Sequence, residues 1–119
     1  MIGGGQINDF RGPVEKLDHE LFARYCEASA LMPMMQYSLN IWDLGNPETR
    51  RICREMSALH AKYGDYIIAC AKEASQTGAP MVRAMEYAYP HCGYGGITDQ
   101  FLLGNRILVA PVLKKGQRR

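Results

Sequence analysis

The apolar run Ile107-Leu108-Val109-Ala110, close to the end of the chain, constrains the fold more than any other segment. Its consecutive apolar side chains point to both faces of a strand, so it predicts a strand that is covered on both sides. The preceding stretch, Asp99 to Gly104, predicts a short buried turn that leads into this strand. Because such a strand needs a partner sheet and few residues follow it, we expect its cover to come from outside this polypeptide.

Local signals predict that helices and strands alternate along the chain. Asp18 is a suitable N-cap for a helix that continues to about residue 31, and Asn46-Pro47-Glu48 is a typical helix start. The apolar stripe that follows predicts a long helix, kinked or broken near Gly64 and ended by Gly78. The remaining predicted elements are a glycine-rich loop at 2–13, strands at 34–38, 80–87 and 106–113, and a turn at 99–103 that Asp99 caps.

The connections between the predicted strands are long. Long crossovers are typical of parallel strands with right-handed connections, so we expect parallel pairing. This order of elements belongs to the α/β class.

Four segments carry motifs that occur in the same order in one known family. They are a glycine-rich loop, an apolar strand with a tryptophan after it, the start of a second strand, and a turn followed by a third strand: Met1–Gly5, Pro33–Ser38 with Trp42, Gly78–Arg83, and Asp99–Leu113. Together they resemble the C-terminal part of the catalytic barrel of glycoside hydrolase family 31, the α-glucosidase and α-xylosidase type. The resemblance covers nearly the whole chain.

The resemblance implies the architecture in more detail. The fold class would be α/β, a partial (β/α)8 TIM barrel of about the last two βα units running into the first strand of a C-terminal β-domain. Residues 1–104 would be a C-terminal fragment of the TIM-barrel catalytic domain, and residues 105–119 the start of a C-terminal β-sandwich domain. The length agrees, because a complete barrel needs about 250 residues and this chain has 119.

Ser38 and Trp42 are the predicted substrate-binding residues. Reacting groups of such barrels lie at the C-terminal ends of strands, which places the region after residue 38 at the site. By resemblance, Ser38 stands where many family members carry a histidine that contacts the sugar; a serine satisfied by the backbone is an equal alternative. Trp42 is the sole tryptophan, and its flat ring suits stacking on a sugar, with packing inside the loop as the alternative.

No catalytic residue is assigned in this chain. A retaining glycosidase needs two carboxylates about 5 Å apart, and Asp43 and Glu86 are the acids nearest to the predicted barrel mouth. By resemblance, however, the catalytic pair lies on earlier strands. We interpret Asp43 as a solvated loop acid.

The resemblance implies a fragment of a retaining α-glycosidase that hydrolyses α-linked glycosides. The chain would contribute one wall of the sugar-binding pocket and be inactive alone, so enzymatic activity of the isolated chain stays open. The alternative is a free-standing α/β interaction module, derived from a truncated gene, that binds a protein through its uncovered sheet.

Composition limits other function classes. With 14 basic and 12 acidic residues, a net charge of +2 predicts no nucleic-acid or membrane partner. The basic end, residues 114–119, is interpreted as a solvated terminus. The four cysteines lack zinc-ligand spacing, so we expect no metal and no cofactor, and Cys26, Cys53 and Cys70 fall on apolar helix stripes as buried free thiols. Sugar specificity, compartment and oligomeric state stay open.

Overall fold

The computed structural model describes residues 2–3 and 17–118. In chain order the elements are α1 (His19–Ser29), α2 (Pro47–Lys62), α3 (Gly64–Thr77), β1 (Val82–Ala84), α4 (Met85–Ala88), a 3-10 turn (Tyr94–Gly96), β2 (Phe101–Leu103) and β3 (Ile107–Val109). Most of the predicted glycine-rich loop lies outside the described residues.

The helices α1 and α2 begin where their capping residues predict. The Asp18 carboxylate accepts a hydrogen bond from the Leu21 N–H at 3.1 Å. The Asn46 side-chain oxygen accepts from the N–H groups of Glu48, at 2.9 Å, and Thr49, at 3.1 Å. Each cap satisfies backbone donors that a first helical turn leaves without partners, so both predicted starts are confirmed.

The predicted interruption near Gly64 is also confirmed. Tyr63 leaves the helical conformation, with φ −95° and ψ 8°, and separates α2 from α3. At the other end of α3, Gly78 adopts a left-handed φ of 76° and its N–H donates to the Ala74 carbonyl oxygen. This geometry ends the helix without the steric cost that a side chain would add.

The sheet differs from the prediction. Its three strands are ordered β1-β2-β3 and both pairs are antiparallel, with Val82 opposite Leu103 and Leu103 opposite Ile107. The predicted parallel pairing is therefore wrong for this sheet. The reason is that β2 and β3 are joined by only three residues, and a short connection allows an antiparallel hairpin.

The lengths of the strands differ as well. The predicted strand at 80–87 is divided between β1 and α4, and the predicted turn at 99–103 contains β2 in place of a turn that Asp99 caps. The last strand is confined to β3. The hairpin crosses the predicted domain division at residue 104, and that division stays a prediction.

The predicted strand at 34–38 is reduced to one parallel bridge, between Tyr37 and Ile2. The Ile2 N–H donates to the Gln36 carbonyl oxygen at 2.7 Å, and the Ser38 N–H donates to the Ile2 carbonyl oxygen at 2.8 Å. Along the sequence, α1 lies between the two bridged residues.

A cluster of buried residues lies between α1, α2 and the segment that joins them. Its five members are apolar side chains and thiols: Ile2, Phe22, Cys26, Leu44 and Cys53. The Tyr37 hydroxyl reaches this cluster, donating to the Cys53 carbonyl oxygen at 3.0 Å. Burial raises the pKa of the Cys26 thiol to about 12 and also raises that of Cys53. The predicted buried free thiols are confirmed, including Cys70 on α3.

The sheet is tied to α3 by polar side chains. The Tyr66 hydroxyl donates to the Leu103 carbonyl oxygen at 3.0 Å and accepts from the Arg106 N–H at 3.2 Å. Arg83 of β1 forms an ion pair of 2.8 Å with Glu73. Tyr66 therefore connects α3 to both ends of the turn between β2 and β3.

The two faces of the last strand, β3, differ in burial. Val109 is buried, whereas Leu108 on the opposite face is 53% exposed. Within the described part of the chain, residues 2–3 and 17–118, no helix is both long and apolar enough to cross a membrane.

Candidate functional site

Ser38 lies where the segment after α1 meets residue 2. Its hydroxyl donates to the Ile2 carbonyl oxygen at 2.8 Å. A Cβ atom added to Gly3 would overlap the Ser38 Oγ, so the glycine makes room for this hydroxyl. The donor of Ser38 is thus used inside the chain, and its oxygen lone pairs are what it can offer a ligand.

Trp42 lies on the loop that leads into α2, and its side chain is 63% exposed. Asn40 shapes this loop. Its side-chain oxygen accepts from the Trp42 N–H at 3.2 Å, and its amide group donates to the Asp43 carboxylate at 2.8 Å. An asparagine that bonds the backbone two residues further on is typical of a tight turn. The loop therefore presents an exposed indole on a backbone fixed by local hydrogen bonds.

Two arginines of α2 lie beside this indole. The guanidinium of Arg54 is over the ring, 6.0 Å from the Trp42 centroid, a distance at which a cation is attracted to the aromatic face. Arg50 donates a long hydrogen bond of 3.4 Å to the Trp42 carbonyl oxygen. Arg54 therefore occupies one side of the ring.

A groove of about 360 Å³ adjoins the indole. It is lined by Trp42, Pro47, Arg50, Arg51 and Arg54. The charge of Arg51 is largely balanced, because its guanidinium is within 2.7 Å of the Glu48 carboxylate and also pairs with Glu55. Hydrogen bonding to these two acids raises the pKa of Arg51, and the bond to Arg51 lowers the pKa of Glu48.

The sequence did not identify the arginines as neighbours of Trp42. Positions 50 and 54 are one helical turn apart, which places both on the same side of α2. That spacing predicts that the two arginines are neighbours on the helix surface. The packing of the loop against that side of α2 is a tertiary contact, and no local pattern encodes it.

The two acids near the predicted barrel mouth have structural partners. Asp43 is exposed and bonded to Asn40, as predicted for a loop acid. The two carboxylate oxygens of Glu86 accept from the backbone N–H groups of His91 and Tyr94, each at 3.1 Å. Glu86 therefore organises the loop after α4. In the described residues, no three potential metal-ligating side chains lie together.

Another cleft lies elsewhere on the molecule. It has a volume of about 830 Å³ and is lined by residues from 96–100 and 110–117, and neither Ser38 nor Trp42 contributes to it. A volume of this size is within the range of ligand pockets. Its walls are mostly loop residues, and the two predicted binding residues do not converge on it.

Comparison with known proteins identifies the family. Residues 78–119 match the family model described as "Glycosyl hydrolase family 31 C-terminal domain". The crystal structure of a GH31 α-xylosidase from a soil metagenome, complexed with xylose, superposes with a TM-score of 0.74 at 26% identity, covering 84% of this chain and 18% of that one. The chain belongs to glycoside hydrolase family 31. The resemblance to this family, inferred from the four motifs, is confirmed, and its assignment to the catalytic barrel stays a prediction.

Curated relatives of this family 31 chain are much longer than it is. It is 34% identical over 127 residues to the myogenesis-regulating glycosidase of Mus musculus, covering 99% of this chain and 17% of the mouse protein. It is 34% identical over 115 residues to an isomaltosyltransferase of Sporosarcina globispora, covering 82% of this chain and 10% of that protein. The chain thus spans less than a fifth of either relative.

Proposed function

We propose that this chain forms one wall of the sugar-binding pocket of a retaining α-glycosidase that hydrolyses α-linked glycosides. It corresponds to about the last two βα units of a (β/α)8 TIM barrel, residues 1–104, and to the start of a C-terminal β-sandwich domain, residues 105–119. The family assignment supports this proposal, as do the glycosidase among the relatives and the xylose-bound α-xylosidase among the similar structures.

The exposed indole of Trp42 carries the proposal. A large aromatic ring that is 63% exposed, on a loop fixed by Asn40, is suited to stacking on the C–H face of a sugar. Arg54 keeps the ring oriented from one side through its cation–π contact. The opposite side of the ring receives the sugar.

Ser38 plays a smaller part in this pocket. Its hydroxyl hydrogen is directed to the Ile2 carbonyl oxygen, so Ser38 offers a sugar hydroxyl an acceptor. Substituting Ser38 by alanine removes that acceptor and one internal hydrogen bond. We therefore expect this substitution to weaken sugar binding less than removal of the Trp42 ring does.

The isolated chain is inactive under this proposal. A retaining mechanism requires one carboxylate to attack the anomeric carbon and another to protonate the leaving oxygen. Asp43 is bonded to Asn40 and Glu86 to two backbone N–H groups, so both acids serve their own loops. The reacting pair comes from parts of the longer enzyme that precede this segment.

Sugar titration with Trp42 as the reporter tests the proposal. Trp42 is the sole tryptophan, so its fluorescence is assigned without ambiguity. Maltotriose should change the emission with a millimolar midpoint. By calorimetry, Trp42→Ala should weaken binding at least fivefold, whereas Trp42→Phe, which keeps a ring, should retain most of it. An emission that does not respond to maltotriose or to xylose would contradict the proposal.

A hydrolysis assay tests whether the isolated chain is inactive. The 119-residue chain should release no more nitrophenol from nitrophenyl α-glucoside than buffer does. Hydrolysis that disappears in Asp43→Asn or Glu86→Gln would show that this segment contains reacting carboxylates. The interaction-module alternative is not favoured, because the matched relatives include glycosidases.

A further inference from the structure

The loop that follows α4 carries two exposed tyrosines in contact with each other. Tyr89 is 46% exposed and Tyr94 is 38% exposed. Their ring centroids are 6.0 Å apart and their planes are nearly perpendicular, at 86°. The pair therefore forms a right-angled aromatic corner, open to solvent, in which one ring presents its face beside the edge of the other. We refer to Tyr89 and Tyr94 as the tyrosine corner.

The backbone under the tyrosine corner is fixed by hydrogen bonds. Glu86 holds the N–H groups of His91 and Tyr94 with its two carboxylate oxygens. The Tyr89 N–H donates to the Met85 carbonyl oxygen at 2.9 Å, and the Ile97 N–H donates to that of Tyr94 at 2.9 Å. A binding surface that is ordered before its ligand arrives loses less conformational entropy on binding.

The chemistry of this loop selects a neutral ligand. No lysine or arginine occurs between Arg83 and Arg106, and the charge of Glu86 is taken up by the two backbone N–H groups. A single-stranded nucleic acid would require cationic groups beside the rings. Each phenol hydroxyl of the tyrosine corner is able to donate to and accept from ligand hydroxyls. Flat rings that carry hydroxyls match a sugar, which has C–H faces and equatorial hydroxyls.

The position of the corner agrees with this ligand. It follows β1 through α4, which starts directly after the last residue of the strand. Under the proposed function β1 belongs to a barrel, and loops at the C-terminal ends of barrel strands carry the ligand sites. The corner shares no residue with Ser38 or with the groove beside Trp42.

We propose that Tyr89 and Tyr94 form a second carbohydrate-binding site, which takes a neutral sugar unit of an α-linked oligosaccharide. The inference rests on the proposed function, because that function supplies the carbohydrate. It adds a binding site that is distinct from the pocket wall at Ser38 and Trp42. Glu86 acts as a positioning residue for this site, through the backbone of the loop.

A titration that observes both sites separately tests the inference. Aromatic carbon–proton correlation spectra of the 119-residue chain are recorded with increasing maltotriose. The ring signals of Tyr89 and Tyr94 are assigned with Tyr89→Phe and Tyr94→Phe, which keep the rings, and Trp42 is identified as the sole indole. We expect the rings of the tyrosine corner to shift with a millimolar midpoint while Tyr25, an exposed tyrosine on α1, does not shift.

Calorimetry on variants provides the second readout. Tyr94→Ala should weaken binding at this site about fivefold, Tyr94→Phe should change it by less, and Tyr25→Ala should leave it unchanged. Thermal melting of each variant shows whether the fold is retained. The Phe variants keep the test valid if an alanine variant fails to fold.

The outcomes separate the two proposals. Shifts at Trp42 alone would overturn the tyrosine corner and leave the pocket wall standing. Shifts at the corner alone would support the corner and contradict the assignment of Trp42. Absence of shifts at all these rings would overturn both. Ring shifts with a proline-rich peptide but none with maltotriose would overturn the inference in favour of a protein ligand.

Discussion

Gly104 occupies a position where a side chain has no room. Its φ is +60°, and a Cβ atom built on it would overlap the Tyr66 hydroxyl and the Cys70 sulfur. Its N–H donates to the Met81 carbonyl oxygen at 2.7 Å. Because both the backbone conformation and the space exclude a side chain, this residue fixes how closely the turn between β2 and β3 approaches α3.

Gly104→Ala should lower the free energy of unfolding by about 2–4 kcal/mol, because it adds left-handed strain and displaces Tyr66 from its hydrogen bonds. Urea unfolding measures the change. The matched control is Gly64→Ala, at a helical position where nothing lies within 4 Å of the added atom. That variant should be unchanged or more stable by about 0.5 kcal/mol. Equal losses in both variants would refute the steric explanation.

At the scale of elements, the helices followed from the sequence better than the strands did. Asp18, Asn46 and Gly78 act within one or two helical turns of themselves, so the ends they define are local properties. The strands depend on partners. The stretch 99–103 alone predicts a turn, because nothing within it reveals that β1 and β3 lie on either side. The exposure of Trp42 was compatible with its predicted role, whereas its contact with Arg54 depends on how the loop packs on α2.

The segment after β3 docks on α1 through polar groups. Arg24 donates to the Gln117 carbonyl oxygen at 2.6 Å, and the Gly116 N–H donates to the Glu20 carboxylate at 2.6 Å. Lys115 pairs with Asp18 at 2.6 Å. Residues 114–118 are exposed, as expected for a solvated terminus, but they are held by α1.

This docking should be released in acid. The hydrogen bond from Lys115 lowers the pKa of Asp18 below 3.8, and those from Gly116 and then Arg24 lower the pKa of Glu20 below 4.5. Both carboxyl groups have a lower pKa in the folded chain than in the unfolded chain. Their contribution to stability is therefore fully present above the unfolded pKa values, and it is lost as the pH falls through the folded pKa values.

The amide signal of Gly116 in NMR spectra measures this release. It should follow the titration of Glu20 with a midpoint below 4.5. In Glu20→Gln the same signal should lose that titration. A Gly116 signal with the same midpoint in the variant would show that another group controls the segment.

At the scale of the whole molecule, the chain is more extended than a compact domain of its length. Its radius of gyration is 16.0 Å and its extents are 47 × 29 × 26 Å, whereas a compact domain of this size would have a radius of gyration of about 13.5 Å. One cluster of buried residues lies between α1 and α2, and α3 connects to the sheet separately. The edge strand β3 keeps Leu108 exposed. This shape agrees with the proposal that neighbouring parts of a longer enzyme complete the packing.

Leu108→Lys should reduce self-association of the isolated chain. An exposed leucine on an edge strand favours strand pairing between molecules, and a lysine at the same position opposes it. Sedimentation velocity at increasing protein concentration measures the effect. Leu113→Lys is the control, because Leu113 is similarly exposed, at 58%, but lies outside the sheet. A monomeric starting chain, or equal effects of both substitutions, would contradict the expectation.

The closure of the β2–β3 ribbon depends on the hydroxyl of Tyr66, which lies in a distant part of the chain. It bonds at both arms of the reversal, to Leu103 and to Arg106, from a position about forty residues upstream. Unwinding α3 would therefore also remove these two hydrogen bonds from the ribbon. A peptide cut to residues 101–109, or a transplant of the ribbon into another scaffold, would therefore need a substitute for this hydroxyl to keep its reversal closed.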